Sequence, residues 1–144
     1  MKHDTHKRLF HDPENKRKEL IHLLEDELAG CSEVIFAYLF GSLLEAIPYE
    51  DIDIGVFVSS ADERRMQEIL LDLQMKLSKK IGRPIDIRPL NTAPVGFLYH
   101  VFRGRLLLDR DEELRVSLIE KVIMRYLDMK PLMERSLKEA MTRE

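Results

Sequence analysis

Residues 51–58 read DIDIGVFV, with apolar side chains at every second position and acids at two of the alternate ones. Successive side chains of a β-strand point to opposite faces, so this alternation predicts a strand with one buried face. Asp51 and Asp53 share the other face, and lie about 6.6 Å apart at ~3.3 Å per residue. Two short carboxylates at that spacing can bind one or two divalent cations, and hard oxygen ligands favour magnesium or manganese.

The preceding run, residues 34–40, reads VIFAYLF and has almost no polar interruption. Such a run is typical of a strand that is buried on both faces. It stops at Gly41, which places Ser42 on a turn beside the acidic pair. Glycine lets the backbone approach an anion, and a serine hydroxyl with neighbouring amides can bind a phosphate oxygen. We therefore predict that Gly41 and Ser42 bind the phosphates of a nucleotide.

A third acid lies in residues 84–88, PIDIR, which read as a short strand with Asp86 on the face opposite Ile85 and Ile87. If this strand pairs beside residues 52–58, Asp86 joins the other two carboxylates. Clustered carboxylates repel one another, so the cluster is better suited to holding metal than to standing empty. The predicted catalytic and metal-binding residues are Asp51, Asp53 and Asp86.

The Gly-Ser turn, the Asp-x-Asp strand and the later strand aspartate resemble those of the nucleotidyltransferase superfamily that includes DNA polymerase beta. The small size narrows the resemblance to the minimal nucleotidyltransferases, which are antitoxins paired with a helical HEPN-domain ribonuclease. Residues 102–111 and 126–131 are similar to the tail of that group, and the resemblance covers most of residues 34–135. It implies magnesium as cofactor, ATP as donor and a tyrosine hydroxyl of the HEPN toxin as acceptor of AMP.

The spacer between Ser42 and Asp51 departs from the pattern of that family. Its eight residues include neither arginine nor glycine, and Glu45 and Glu50 add negative charge, which predicts weaker binding of a triphosphate. A second hypothesis is therefore an antitoxin with weakened catalysis that acts by binding its toxin. A third is a small-molecule nucleotidyltransferase that resembles the aminoglycoside-modifying enzymes, in which a homodimer would supply the wall of the acceptor pocket.

Length and composition limit the number of domains, the partners and the location that these hypotheses allow. A chain of 144 residues favours one nucleotidyltransferase domain over residues 1–144. The formal charge of −3 gives no global basic field, so direct nucleic-acid binding is not expected. Cys31 is the only cysteine, and no apolar run approaches the ~20 residues that span a bilayer. With no signal-peptide pattern either, we expect a cytoplasmic protein without a membrane partner.

The predicted fold class is α/β (α+β), a small mixed β-sheet with flanking helices and a polymerase beta-like core over about 34–110. Asp12 is the expected cap of the first helix and Pro13 its first residue, while residues 60–63 read as a capping box for the second. Pro131 is expected to divide the C-terminal region into two helices. The further elements predicted are a helix at about 13–29, a helix that follows residues 60–63 and ends by Gly82, a helix at about 93–103, C-terminal helices over about 111–143, and a strand at 105–108.

Several other side chains are weaker candidates. The histidines His3, His6 and His11 lie in a polar leader without a matching framework of metal ligands. The basic residues near the third strand either attract phosphate or stabilise a helix end; they are Lys79, Lys80, Arg83 and Arg88. A group before the fourth strand is a candidate contact for a nucleotide base or partner; it comprises His100, Arg103 and Arg105. The apolar stripe over 132–141 is expected to dock on the core, with partner binding as the alternative.

Overall fold

A computed structural model describes residues 8–142 of the chain, which contain four strands and four helices. The strands are β1 (Val34–Phe40), β2 (Ile52–Val58), β3 (Ile85–Pro89) and β4 (Arg105–Asp109). The helices are α1 (Glu14–Ala29), α2 (Glu63–Ile81), α3 (Val95–Phe102) and α4 (Glu112–Thr142). The strand order is β3-β2-β1-β4, with β1 antiparallel to β2 and β4, and β2 parallel to β3. The predicted mixed sheet and α+β fold class are confirmed.

Successive side chains along each strand point to opposite faces of the sheet, so the apolar side chains form two separate clusters, one on each face. Helices α1 and α2 pack on the face that carries the isoleucines of β2, such as Ile52 and Ile54. The opposite face, which carries Phe36 and Phe40, packs against α3 and the first half of α4. Because Asp53 alternates with the isoleucines, the acidic side of β2 faces the α3 layer.

Close packing of α3 on the sheet depends on a glycine of β2. A Cβ atom on Gly55 would lie 2.8 Å from Leu90 and 2.9 Å from Val101, closer than side chains tolerate. Gly55 therefore allows α3 to approach the strand that carries the acids, and it fixes where the C-terminal end of α3 lies relative to them.

The predicted caps of α1 and α2 are wrong by one or two residues. Pro13 is the N-cap of α1 rather than its first residue, and the Asp12 side chain bonds elsewhere. In α2 the cap is Asp62, whose carboxylate accepts a hydrogen bond from the backbone N–H of Arg64 at 3.1 Å. Ser60 instead accepts from the N–H of Asp62, so residues 60–63 form a turn before the helix and not a capping box.

The C-terminal region is one helix, contrary to the prediction of two. Helix α4 runs unbroken through Pro131, over 31 residues and about 46 Å at ~1.5 Å per residue. The stripe that was expected to dock on the core is exposed, with Leu132 at 62%, Leu137 at 62% and Met141 at 78%. Only the first half of α4 packs, because Val122 is its single buried residue. Within residues 8–142, no helix is long and apolar enough to cross a bilayer.

We predict that Pro131→Ala will strengthen the second half of α4 without changing global stability. Proline removes one helical hydrogen bond and crowds the preceding turn, at a local cost of about 3 kcal/mol. Amide hydrogen exchange over residues 127–142 should slow in the variant, while the urea midpoint stays unchanged because this segment lies outside the core. Ser136→Ala is the matched control. A shift of the urea midpoint in Pro131→Ala would show that the segment packs on the core.

Candidate functional site

The sheet register brings together the aspartates that the sequence predicts. Asp53 lies opposite Phe40 in the antiparallel pairing of β1 with β2, and beside Asp86 in the parallel pairing of β2 with β3. The end of β1, the start of β2 and the start of β3 therefore lie in one row across the sheet. Asp51 immediately precedes β2 and completes the group. The expectation that β3 would pair beside β2 is confirmed.

Gly41 places the turn after β1 directly against Asp53. Its φ of +83° lies in the left-handed region, which favours glycine. A Cβ atom at this position would also collide with carboxylate oxygen Oδ2 of Asp53. Two hydrogen bonds stabilise the turn, from the N–H of Glu45 to the Gly41 carbonyl and from the N–H of Ile47 to the Ser42 carbonyl. The backbone conformation thus favours glycine here, and a side chain would also displace the Asp53 carboxylate from its position.

Negative charge accumulates at Asp53. Burial, together with repulsion from Asp86 and Asp51, raises the pKa of Asp53 to about 6, while the positive charges of Arg88 and His100 act in the opposite direction. The register supplies the proximity behind this repulsion, since Asp86 is the strand neighbour of Asp53 and Asp51 lies two residues before it. The group therefore gains from any bound cation.

Asp86 has a basic neighbour on its own strand. The Nε of Arg88 donates to Asp86 at 3.3 Å, and its guanidinium lies 5.7 Å from the centre of the Phe97 ring. Asp86 and Arg88 are two positions apart, so both point to the acidic face of β3. Arg88 thereby offsets part of the charge of the cluster in the absence of a metal.

The donor set suits magnesium or manganese bound together with a substrate. Within residues 8–142, no three histidine, cysteine or acidic side chains converge into a ready-made metal cage. Magnesium, however, is usually held by one or two carboxylates and completes its octahedron with waters and substrate phosphates. Asp53, with its raised pKa, and its neighbours Asp51 and Asp86 fit that mode of binding.

The weaker candidate residues lie in different parts of the structure. His100 and Arg103 line a cleft beside Gly41, whereas Arg105 begins β4 and pairs with Leu39. Lys79 and Lys80 lie in the last turn of α2, which favours the helix-end interpretation. His11 is exposed in the segment before α1, while His3 and His6 lie outside the described residues.

A network that the sequence did not reveal holds the loop that leads to Asp51. The Tyr49 hydroxyl donates to Asp12, and Arg83 bonds both, at 2.9 Å to Asp12 and 3.3 Å to the Tyr49 oxygen. Phe10 and Tyr49 form a backbone bridge and stack at 5.6 Å, with Arg83 over the Phe10 ring at 4.6 Å. No local pattern signals these contacts, because Asp12, Tyr49 and Arg83 are far apart in the chain.

The ionisation of this network follows from its hydrogen bonds. Burial alone would raise the pKa of Asp12, but hydrogen bonds from Tyr49 and Arg83 outweigh it and lower that pKa below 3.8. Burial and the bond to Asp12 raise the pKa of Tyr49 to about 12. At neutral pH the network is thus an ionised carboxylate held by a neutral phenol and a guanidinium.

Comparisons with known proteins agree with this geometry. Residues 18–113 match the family described as "Polymerase beta, Nucleotidyltransferase". No curated protein sequence matches the chain significantly.

Solved structures of toxin–antitoxin complexes share the fold. A chain from a complex of tri-AMPylated Shewanella oneidensis HEPN toxin with MNT antitoxin is 22% identical, with 89% of this chain and 98% of that chain covered and a TM-score of 0.60. A chain from a toxin–antitoxin structure with AMP-PNP is 21% identical, with coverage of 88% and 98% and a TM-score of 0.64. A chain from the toxin–antitoxin pair MntA-HepT is 20% identical, with coverage of 90% and 100% and a TM-score of 0.60.

We predict that Asp12→Asn will lower the unfolding free energy at pH 7 by about 1.5–3 kcal/mol, the range for hydrogen bonds to a charged group. Because the folded pKa of Asp12 is depressed, its contribution is present above the ordinary value of 3.8 and is lost as the pH falls through the folded value. Urea denaturation at pH 7 and at low pH measures this. Asp26→Asn, an exposed change on α1, is the control. Equal stability of Asp12→Asn and wild type at pH 7 would contradict the assignment.

We predict that Asp53→Asn will stabilise the metal-free protein at pH 7. The folded pKa of Asp53 is raised from 3.8 to about 6, so its stabilising contribution is fully present below pH 3.8 and is lost as the pH rises through about 6. After a discount for solvent screening, the gain in the variant should be about 1–2 kcal/mol. Chemical denaturation with a chelator at pH 7 and pH 3.5 measures it.

The matched control is Asp72→Asn, which alters an exposed aspartate of α2 paired with Lys76. Added magnesium should stabilise the wild type and this control but not Asp53→Asn. A variant less stable than wild type at pH 7 in chelator would refute the account of charge repulsion.

Proposed function

Because the chain belongs to the polymerase beta nucleotidyltransferase family, we propose that it is a protein adenylyltransferase that moves AMP from ATP to a tyrosine hydroxyl of a HEPN toxin and thereby acts as an antitoxin. The observation that carries the proposal is the pairing of Asp53 with Asp86 in adjacent parallel strands, next to the Gly41 turn. The similar structures support the donor and the acceptor, since one contains AMP-PNP and another an AMPylated HEPN toxin.

The proposed reaction is a single displacement at the α-phosphorus of ATP. The tyrosine oxygen forms a new bond to the α-phosphorus, and the bond from that phosphorus to the oxygen bridging the α- and β-phosphates breaks. Pyrophosphate leaves with the bond's electron pair. The phenolic proton goes to Asp86, or to solvent if Asp86 serves as a ligand instead. Magnesium, when bound, would supply positive charge that stabilises the α-phosphoryl group and the leaving pyrophosphate.

The position of each site residue indicates its proposed role in the reaction. Asp51 and Asp53 would hold the cation, with Asp86 beside them on the acceptor side. The raised pKa of Asp53, about 6, marks this carboxylate as the one that gains most from a bound cation. Gly41 and Ser42 would place backbone amides and a hydroxyl against the phosphates, since the Gly41 turn lies directly on Asp53.

The second half of α4 offers a surface for a protein partner. Its exposed apolar side chains include Leu127, Leu132 and Leu137, at 57%, 62% and 62% exposure. A groove on this half is lined by Lys130, Leu132 and neighbouring residues. Contiguous exposed apolar surface is typical of interaction sites, and methionine adapts readily to a partner. We include this surface in the proposed contact with the toxin.

A binding antitoxin without catalysis is the second candidate. It is favoured by the loop over 43–50, which has no basic residue, and by the exposed half of α4. It predicts that toxin is neutralised even when the aspartates are replaced. The small-molecule transferase hypothesis predicts instead that the acceptor is not a protein.

The deciding experiment is transfer of labelled AMP from ATP with magnesium to the protein encoded beside this chain, which the proposal expects to be a HEPN toxin. We expect label on the toxin, lost with a chelator. Asp53→Asn should reduce the rate by about 10²- to 10³-fold, as for loss of a group that stabilises transition-state charge. Asp72→Asn, on the opposite layer, should leave the rate unchanged.

The alternatives have distinct outcomes. A stable complex without label, together with neutralisation by Asp53→Asn, would establish a binding antitoxin. Absence of both label and complex would refute the proposal, and transfer to an aminoglycoside would support the third hypothesis. Loss of label in Asp72→Asn as well would show that the assay reports folding and not the site.

A further inference from the structure

A cleft of about 220 Å³ lies beside the Gly41 turn. The end of β1 and the loop after it form one wall, with Gly41 and Glu45, while the C-terminal end of α3 forms the other, with His100 and Arg103. The cleft therefore adjoins the turn that faces Asp53. It combines a glycine turn with basic side chains, which is a typical setting for anion binding.

Packing holds the basic wall in place. The His100 ring meets the Phe40 ring edge-on at 5.7 Å. The Arg103 guanidinium lies 6.0 Å from the centre of the Tyr99 ring, and Tyr99 in turn stacks on Tyr126 of α4 at 3.8 Å and 6°. Both side chains are exposed, so a ligand in the cleft can reach them. His100 contacts Phe40, which is the register partner of Asp53, so His100 and Asp53 lie on the same side of the sheet.

The loop opposite this wall cannot supply a cation. Residues 43–50 contain no lysine or arginine, and their charged members are Glu45 and Glu50. The triphosphate of a nucleotide carries several negative charges, of which the metal at the aspartates neutralises only part. The end of the nucleotide away from the reacting phosphorus must therefore meet positive charge elsewhere. The planar guanidinium of Arg103 can donate two parallel hydrogen bonds to phosphate oxygens.

We propose that Arg103, assisted by His100, binds the β- and γ-phosphates of the nucleotide in this cleft and replaces the cation that loop 43–50 lacks. The assignment rests on the proposed nucleotidyltransferase function. Glu45, on the facing wall, acts against the bound anion. The cleft thus holds one group that attracts the triphosphate and one that repels it, so that variants at the two positions should change affinity in opposite directions.

The test is isothermal titration calorimetry of the full chain with AMP-PNP and with AMP, both in magnesium. Arg103→Gln should weaken AMP-PNP by about tenfold, the loss typical of one charge-assisted contact, and leave AMP nearly unchanged. Arg103→Lys should recover part of the affinity. Glu45→Gln should tighten AMP-PNP by a few fold, and His100→Gln should weaken it by a few fold. The matched control is Arg105→Gln, two positions away on β4, which should bind as wild type does.

The outcomes separate this assignment from the function on which it rests. Equal weakening of AMP-PNP and AMP in Arg103→Gln would place the arginine at the nucleoside or α-phosphate and overturn the assignment, as would unchanged binding of both. Tighter binding in Glu45→Gln with no effect at Arg103 would overturn it as well. If the wild type binds neither nucleotide, the proposed function itself fails.

Discussion

The parallel pairing of β2 with β3 is the constraint on which the site depends. It sets Asp53 beside Asp86, while the antiparallel pairing of β1 with β2 ends at Phe40 and delivers Gly41 to the same place. Like charges held this closely oppose folding, so the surrounding structure must compensate. Apolar packing on the other face of β2, where Ile52 and Ile54 are fully buried, holds the strands in register against that repulsion.

The loop into the site needs support of its own, which the segment before α1 and Arg83 provide. Residues 43–50 form turns without a strand or helix, and they must end with Asp51 in place beside β2. Tyr49 is almost fully buried, and its backbone and hydroxyl both bond to the segment before α1, at Phe10 and Asp12. Burying an ion pair is favourable only when its hydrogen bonds are satisfied, as they are for Asp12 and Arg83. The site loop is thus held in place by residues that take no part in the proposed reaction.

Sequence reasoning succeeded where the information was local and periodic. Alternation over 51–58 predicted a strand, its buried face and its acidic face, and β1 and β3 followed from similarly short patterns. It failed where one residue had several possible partners. Asp12 has the chemistry of a cap, but a tyrosine 37 positions away competes for it. Pro131 is a helix breaker by propensity, yet α4 continues through it, and periodicity over 132–141 specified an apolar face without specifying what covers it.

Charge explains how metal and nucleotide should depend on each other at this site. Without a cation, the three aspartates repel a triphosphate, and Arg88 is bonded to Asp86 and so is not free to attract it. Under the proposed function, a bound cation would neutralise these carboxylates, and the phosphates would meet the metal as well as the cleft that Arg103 lines. Each ligand would then raise the affinity for the other, by the same factor in both directions because the coupling is reciprocal. The acidic loop over 43–50 makes this dependence steeper, since it leaves the triphosphate little attraction until the metal is in place.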